Sequence, residues 1–348
     1  MRIAVLSGGV GGARFLRGLL RHLHDSDPDA RHEVTVVANT GDDITLHGLR
    51  VCPDLDTVMY TLGDAVHEEQ GWGRRDESGT VAEELARYGV GPDWFTLGDR
   101  DIATHLVRTQ MLAAGYGLAA VTEALCQRWQ PGVRLLPMTE QAVETHVLVE
   151  DPDRRAVHLQ EWWVRMRAGV PAHGFPLVGL DRARPAPGVL DALREADVVL
   201  LPPSNPVVSL GPVLSVPGVR DVLRGTRAPV VGVSPVIGGR TVRGMAAQCL
   251  AALDVPCTAA GVAGLLADVL DGWLVDDVDA PGAHGSTTDG ATTDGATTDG
   301  ATTDGLRVVA TDLLMRDVAG AARLAGTALD LALDLASEPA AAPPRGRS

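Results

Sequence analysis

The chain has 348 residues, of which 45% are hydrophobic and 22% charged, the make-up of a globular protein with surface enough to bury one large α/β core or two ordinary ones. Its 30 basic residues are all arginine and stand against 45 acidic ones, and the formal net charge of −15 argues against nonspecific nucleic-acid binding and against an anionic membrane surface. The absence of lysine removes a Walker A phosphate loop and a Schiff-base mechanism together, and the four cysteines (Cys52, Cys126, Cys249 and Cys257) lack the paired spacing of a zinc site or disulfide framework.

In chain order, the apolar run Ile3-Ala-Val-Leu-Ser leads straight into Gly8-Gly-Val-Gly-Gly-Ala-Arg and an amphipathic helix. A second apolar run over residues 31–38 ends in Asn39-Thr-Gly-Asp-Asp. This is strand, turn, helix and strand, with backbone amides free at the first switch and carboxylates at the second. In an open parallel sheet both switches fall at the carboxyl ends of strands, where ligands bind. Gly9, Gly11 and Gly12 would let backbone approach an anion at a helix start, although the same glycines also suit close packing.

Helical spacing recurs over residues 54–62, 81–88, 102–114 and 118–129, which makes 55–130 a helical insertion between sheet elements. The period then changes to two. Residues 134–138, 144–149 and 156–164 alternate like antiparallel strands, with Asp151-Pro-Asp-Arg as the hairpin turn of a small β segment over 134–165. The continuous apolar runs 196–201 and 228–233, with a helix near 216–224 between them, read as buried parallel strands. Two more strands, near 271–276 and 307–312, and a helix over 317–335 complete the pattern. The expectation is one α/β domain over residues 1–335, with a Rossmann-like, mostly parallel sheet. Thr-Thr-Asp-Gly repeats four times between residues 287 and 305, inside a low-complexity loop expected over 280–305. The last residues, 336–348, read as a disordered tail. No leader segment and no apolar run of transmembrane length is visible, so the expected location is cytoplasmic.

Three acidic clusters fall at element ends: Gly41-Asp42-Asp43, Pro53-Asp54-Leu55-Asp56-Thr57 and Gly98-Asp99-Arg100-Asp101. Carboxylates facing a phosphate-binding turn suit a hard divalent cation shared with phosphate oxygens, while helix capping and turn formation are the ordinary uses of the same residues. Ser204 and Asn205 follow one buried strand and Ser234 follows the next, where they would bind phosphate or a base edge, or simply make turns. His105 lies three residues before Arg108 on a helix, as a packed polar residue or a proton acceptor.

These motifs, together with Leu97-Gly-Asp-Arg-Asp-Ile-Ala-Thr-His, Pro203-Ser-Asn-Pro-Val-Val-Ser-Leu-Gly-Pro and Ser234-Pro-Val-Ile-Gly-Gly, occur in one order that resembles the 2-phospho-L-lactate transferase family of coenzyme F-420 biosynthesis. The resemblance covers about residues 1–275 and the strand and helix after 306, and is closest to the actinobacterial phosphoenolpyruvate transferase branch. It implies transfer of a phosphoenolpyruvyl or 2-phospho-L-lactyl group from a guanosine diphosphate donor to a ribityl hydroxyl of the deazaflavin FO. GMP would leave, Mg²⁺ would assist, and the protein would be a homodimer. By resemblance Asp56, Asp42 and Arg100 are the catalytic candidates, and Asp42, Asp54 and Asp56 the candidate Mg²⁺ ligands. Asp56, Thr96, Asp99 and His105 would face FO, with Thr96 standing where many relatives carry a basic residue. Gly9, Gly11, Gly12, Arg14, Asn39, Ser204, Asn205 and Ser234 would hold the donor. The rival reading is a nucleotide-binding regulatory protein of the same fold, for which the Asp54–Asp56 and Asp99–Asp101 motifs would be unnecessary.

Overall fold

The computed structural model describes residues 1–280 and 305–337. Seven strands form one sheet: β1 (Arg2–Ser7), β2 (Glu33–Ala38), β3 (Arg134–Pro137), β4 (Val198–Leu201), β5 (Val230–Val233), β6 (Gly272–Val275) and β7 (Arg307–Ala310). Their spatial order is β7-β6-β5-β4-β1-β2-β3, and every pairing is parallel. Parallel strands are covered on both faces, which explains their continuous apolar runs. Alternate residues of β1 divide between the two layers: Ile3 and Val5 join one core, Ala4 and Leu6 the other.

The first layer is built from helix α1 (Gly9–Ser26), the helical block and the last helix, Val318–Ser337. The block comprises α2 (Pro53–Leu62), α3 (Thr80–Arg87), α4 (Asp99–Ala113) and α5 (Leu118–Trp129), all between β2 and β3 as the helical spacing predicts. The chain order runs outward from β1 to β3 and then returns to place β4 on the other side of β1. A topological switch therefore opens between the carboxyl ends of β1 and β4, and the α1 turn meets the loop after β4 there.

Small antiparallel pieces hang on this frame. The hairpin Ile44–Leu46 with Leu49–Val51 precedes α2, and Glu144–Glu150 pairs with Arg154–His158 around the predicted turn. Residues 134–138, expected as an antiparallel strand of this segment, instead supply β3, which pairs parallel to β2 at the edge of the main sheet. The strand expected over 156–164 ends at His158. Residues Glu161–Arg165 form a π-helical turn, closed by the Met166 amide donating to the Glu161 carbonyl at 3.0 Å. The turn puts Trp162 in a core with Val147, Val149 and Leu159 while Trp163 stays outside. A strand would also put these neighbours on opposite faces, so alternation alone cannot separate the two. The tail beyond residue 337 and all but Gly305 of the Thr-Thr-Asp-Gly repeat lie outside the described residues. Among the described residues no helix is long and apolar enough to cross a membrane.

Candidate active site

Asn39 leaves the end of β2 and is fully buried. Its Nδ2 donates to Asp42 Oδ1 at 2.8 Å and to Asp54 Oδ2 at 2.9 Å, while its Oδ1 accepts from the Gly41 amide at 2.8 Å. One neutral amide thus joins a carboxylate from the loop after β2 to one from the first turn of α2. Burial pushes the Asp42 carboxyl well above its ordinary value, and the Asp54 charge adds to this. Burial also raises Asp54, to about 6, against the hydrogen bonds it receives from Asn39 and the Gly9 amide. Two converging, desolvated carboxylates with no cation of their own fit a hard divalent ion, which needs only one or two protein carboxylates when phosphates supply the rest.

Asp43 points the other way. Its Oδ2 accepts from Arg50 Nη2 at 2.9 Å and from the Cys52 thiol at 3.0 Å, and burial outweighs Arg50 to raise the carboxyl to about 6.

Asp56 lies two residues beyond Asp54 and belongs to a different cluster. Its Oδ1 accepts a short bond from Arg108 Nη2, and its Oδ2 sits 3.7 Å from His105 Nδ1. Arg108 Nη1 also reaches His105 Nδ1 at 3.1 Å, so Nδ1 acts as the acceptor and Nε2 carries the proton toward Asp101 Oδ2 at 3.4 Å. Tyr60 donates to Asp101 Oδ1 at 2.6 Å. Burial pulls the Arg108 pKa down, but Asp56, together with Cys52 and Tyr60, outweighs this and keeps it raised. Among the described residues no three His, Cys, Asp or Glu side chains are grouped to hold a metal. The three expected ligands divide accordingly: Asp42 and Asp54 converge, whereas Asp56 turns to Arg108.

The glycine turn divides as well. Gly9 has φ +67°, an Asp54 oxygen 3.8 Å from where a Cβ would stand, and otherwise open space. A Cβ on Gly11 would meet the Pro203 carbonyl at 2.5 Å, and one on Gly12 the Ser7 hydroxyl at 2.1 Å. These two glycines let α1 pack on Ser7 and the loop after β4, leaving Gly8 and Gly9 as the glycines beside Asp54. Ser204 Oγ donates to the Gly8 carbonyl at 2.9 Å, lashing that loop to the turn. Asn205 Oδ1 caps the turn Pro206–Leu210 through the Val207 amide at 2.9 Å, and Ser234 Oγ donates to the Val236 carbonyl at 2.8 Å. Asn205 and Ser234 thus make the turns that the sequence left open.

Asp99 accepts from Ser78 Oγ at 2.7 Å and from the amides of Thr80 and Val81 at 3.1 and 2.9 Å, so its carboxylate fastens the start of α3. Arg100 is exposed, and its amide donates to Glu77. Thr96 lines an apolar cleft of about 290 Å³ with Leu49, Val81, Leu85, Phe95 and Ile102. A larger groove of about 540 Å³ lies at the opposite sheet edge, along residues 32–35 where β2 begins. Arg14, in the second turn of α1, donates to the Glu68 carbonyl at 3.3 Å, and Arg243 bonds the Gln70 carbonyl of the same loop.

Sequence reasoning missed four residues. Arg108 was legible as the third member of a helix face, since Asp101, His105 and Arg108 stand at i, i+4 and i+7. Arg243 carries no such signal, because only the fold brings it beside Arg14. Ser7 Oγ and Thr40 Oγ1 are buried without a hydrogen-bond partner at the ends of β1 and β2.

The architecture and site define a Rossmann-like α/β protein with an acidic centre at the carboxyl edge of its sheet. The family model described as 2-phospho-L-lactate transferase CofD matches residues 3–314, and the chain belongs to this family. A phosphoenolpyruvate transferase of Thermobifida fusca is 58% identical over 96% of this chain and 99% of its own length. One from Streptomyces coelicolor is 63% identical over 80% of this chain and 86% of its own. A UPF0052-family protein of Bacillus halodurans shares the fold at 17% identity, with a TM-score of 0.57 over 94% of this chain and 99% of that one.

Proposed function

We propose that this protein transfers a phosphoenolpyruvyl group, or its 2-phospho-L-lactyl counterpart, from a guanosine diphosphate-linked donor to a ribityl hydroxyl of FO. The hydroxyl oxygen bonds to the distal phosphorus, the bridge to the GMP phosphate breaks, and the hydroxyl proton leaves. The observation that carries the reading is the separation of Asp42 and Asp54 from Asp56. The first two stand beside the Gly9 turn, where a diphosphate meets backbone amides, and the third faces the helical block.

Asp42 and Asp54 would hold Mg²⁺, which supplies charge neutralisation on the diphosphate. Gly9, with Arg14 and Arg243 across the loop of residues 67–71, orients the anionic donor. The apolar cleft beside Thr96 offers walls to a flat aromatic acceptor and excludes water from it. Displacement of this kind relies on positioning and electrostatics, so the buried, protonated state of Cys52 is no obstacle. Relatives named for phosphoenolpyruvate favour that donor over phospholactate.

Mass spectrometry of the products from FO with each donor tests the proposal. The expected result is GMP release with the phosphoenolpyruvyl adduct of FO as the main product. Retained guanine-nucleotide binding with no adduct from either donor would instead favour the regulatory reading.

A further inference from the structure

Arg108 is 1% exposed and is the cation in direct contact with the Asp56 carboxylate. Its guanidinium meets three groups from different elements: Asp56 Oδ1 on α2, His105 Nδ1 one turn earlier on α4, and the Arg50 carbonyl of the hairpin at 3.3 Å. A planar fork with several donors can hold all three at once, which an ammonium on a flexible stem cannot. With Oδ1 engaged, Asp56 Oδ2 is left buried with no hydrogen-bond partner, as is Arg108 Nε. A buried carboxylate oxygen without a donor is costly, and such orphans call for an explanation in a ligand or a function.

Asp54 and Asp56 leave one helical turn about 200° apart, so Asp56 reaches the α4 side, where Arg108 meets it. We propose that Arg108 is the positioning residue of the transfer site: it clamps one oxygen of Asp56 and leaves the other for the hydroxyl of the acceptor. The role rests on the transfer reaction proposed above, and Arg108 itself touches neither substrate.

A double-mutant cycle over Asp56 and Arg108 tests this, read by product formation, FO fluorescence titration and GMP titration. Arg108→Met is expected to lower kcat/KM for the acceptor roughly 100-fold, the scale of a misplaced reacting group, with GMP affinity unchanged. Arg108→Lys keeps the charge but not the three contacts, and is expected to recover part of the loss. In an Asp56→Asn background, Arg108→Met should cost little further, because residues that act as a unit are non-additive. Asp56→Asn with Arg108→Met also removes both buried charges together, so the double variant is expected to be more stable than Arg108→Met and keeps the cycle readable if that single variant fails to fold. An undiminished loss in the Asp56→Asn background, or a parallel loss of GMP affinity, overturns the positioning role. A wild-type protein that forms no adduct overturns the transfer reading instead, so the two failures are distinct.

Discussion

Two acidic clusters grow from one turn of α2, and they are charged in opposite ways. Around Asn39 two buried carboxylates share a neutral amide and have no cation among the side chains that bond them. Around Arg108, Asp56 meets a buried guanidinium directly, and Asp101 is linked to it through His105. The first cluster is electrostatically incomplete and suited to a ligand that brings positive charge. The second holds a cation of its own and is suited to holding a geometry. Desolvation makes both arrangements costly to leave unpaired, so each side chain's partner matters more than its residue type.

The comparison breaks most visibly at its centre. Asn39→Ala removes the donor shared by Asp42 and Asp54 and the acceptor for the Gly41 amide. Hydrogen bonds to charged groups contribute about 1.5–3 kcal/mol each, so the variant, which loses two, is expected to lose about 3–6 kcal/mol by urea unfolding and nearly all turnover. A protein that unfolds like the wild type would show that Asn39 does not join the pair.

A second experiment sharpens the claim that the Asn39 cluster lacks a cation. Asp54 has a folded-state pKa of about 6, above its ordinary 3.8, so its contribution to stability is fully present below pH 4 and is lost as pH rises through 6. The cost at pH 7.5 without metal is about 3 kcal/mol. In EDTA, Asp54→Asn should therefore melt above the wild type at pH 7.5 and level with it near pH 4. Mg²⁺ should raise the wild-type melting temperature at pH 7.5 and leave the variant where it was. Equal responses of the two proteins to Mg²⁺ would remove the cation from this cluster.

The smallest effect is expected at Asp99, outside both clusters. Asp99→Asn should lower the melting temperature slightly through the α3 cap and leave the acceptor KM unchanged. The amide bond from Val81 holds this carboxyl below the usual carboxylate range, so any loss of stability with acid should begin only at low pH. A raised acceptor KM with an unchanged melting temperature would return Asp99 to the acceptor site.

Sequence by itself determined six of the seven strands of the sheet, the glycine switch and the helical block, because strands buried on both faces read as apolar runs and helices as a period of 3.6; β3, an edge strand, alternates and read as antiparallel. Helix α5 runs Leu118–Trp129, the same span that periodicity predicts. It also marked Asn39, Asp42 and Asp54, whose meeting needs only that the loop after β2 and the start of α2 lie at one sheet edge. Tertiary structure alone decided which carboxylate each neighbour would answer. Asp54 and Asp56 look alike in the sequence, yet a helix turns about 100° per residue, so two residues carry Asp56 to the far side, where Arg108 arrives from 52 positions away. It also decided that Gly11 and Gly12 serve packing and that Asp99 caps a helix. Those outcomes depend on the Pro203 carbonyl, the Ser7 hydroxyl and the α3 amides, whose positions no local pattern encodes.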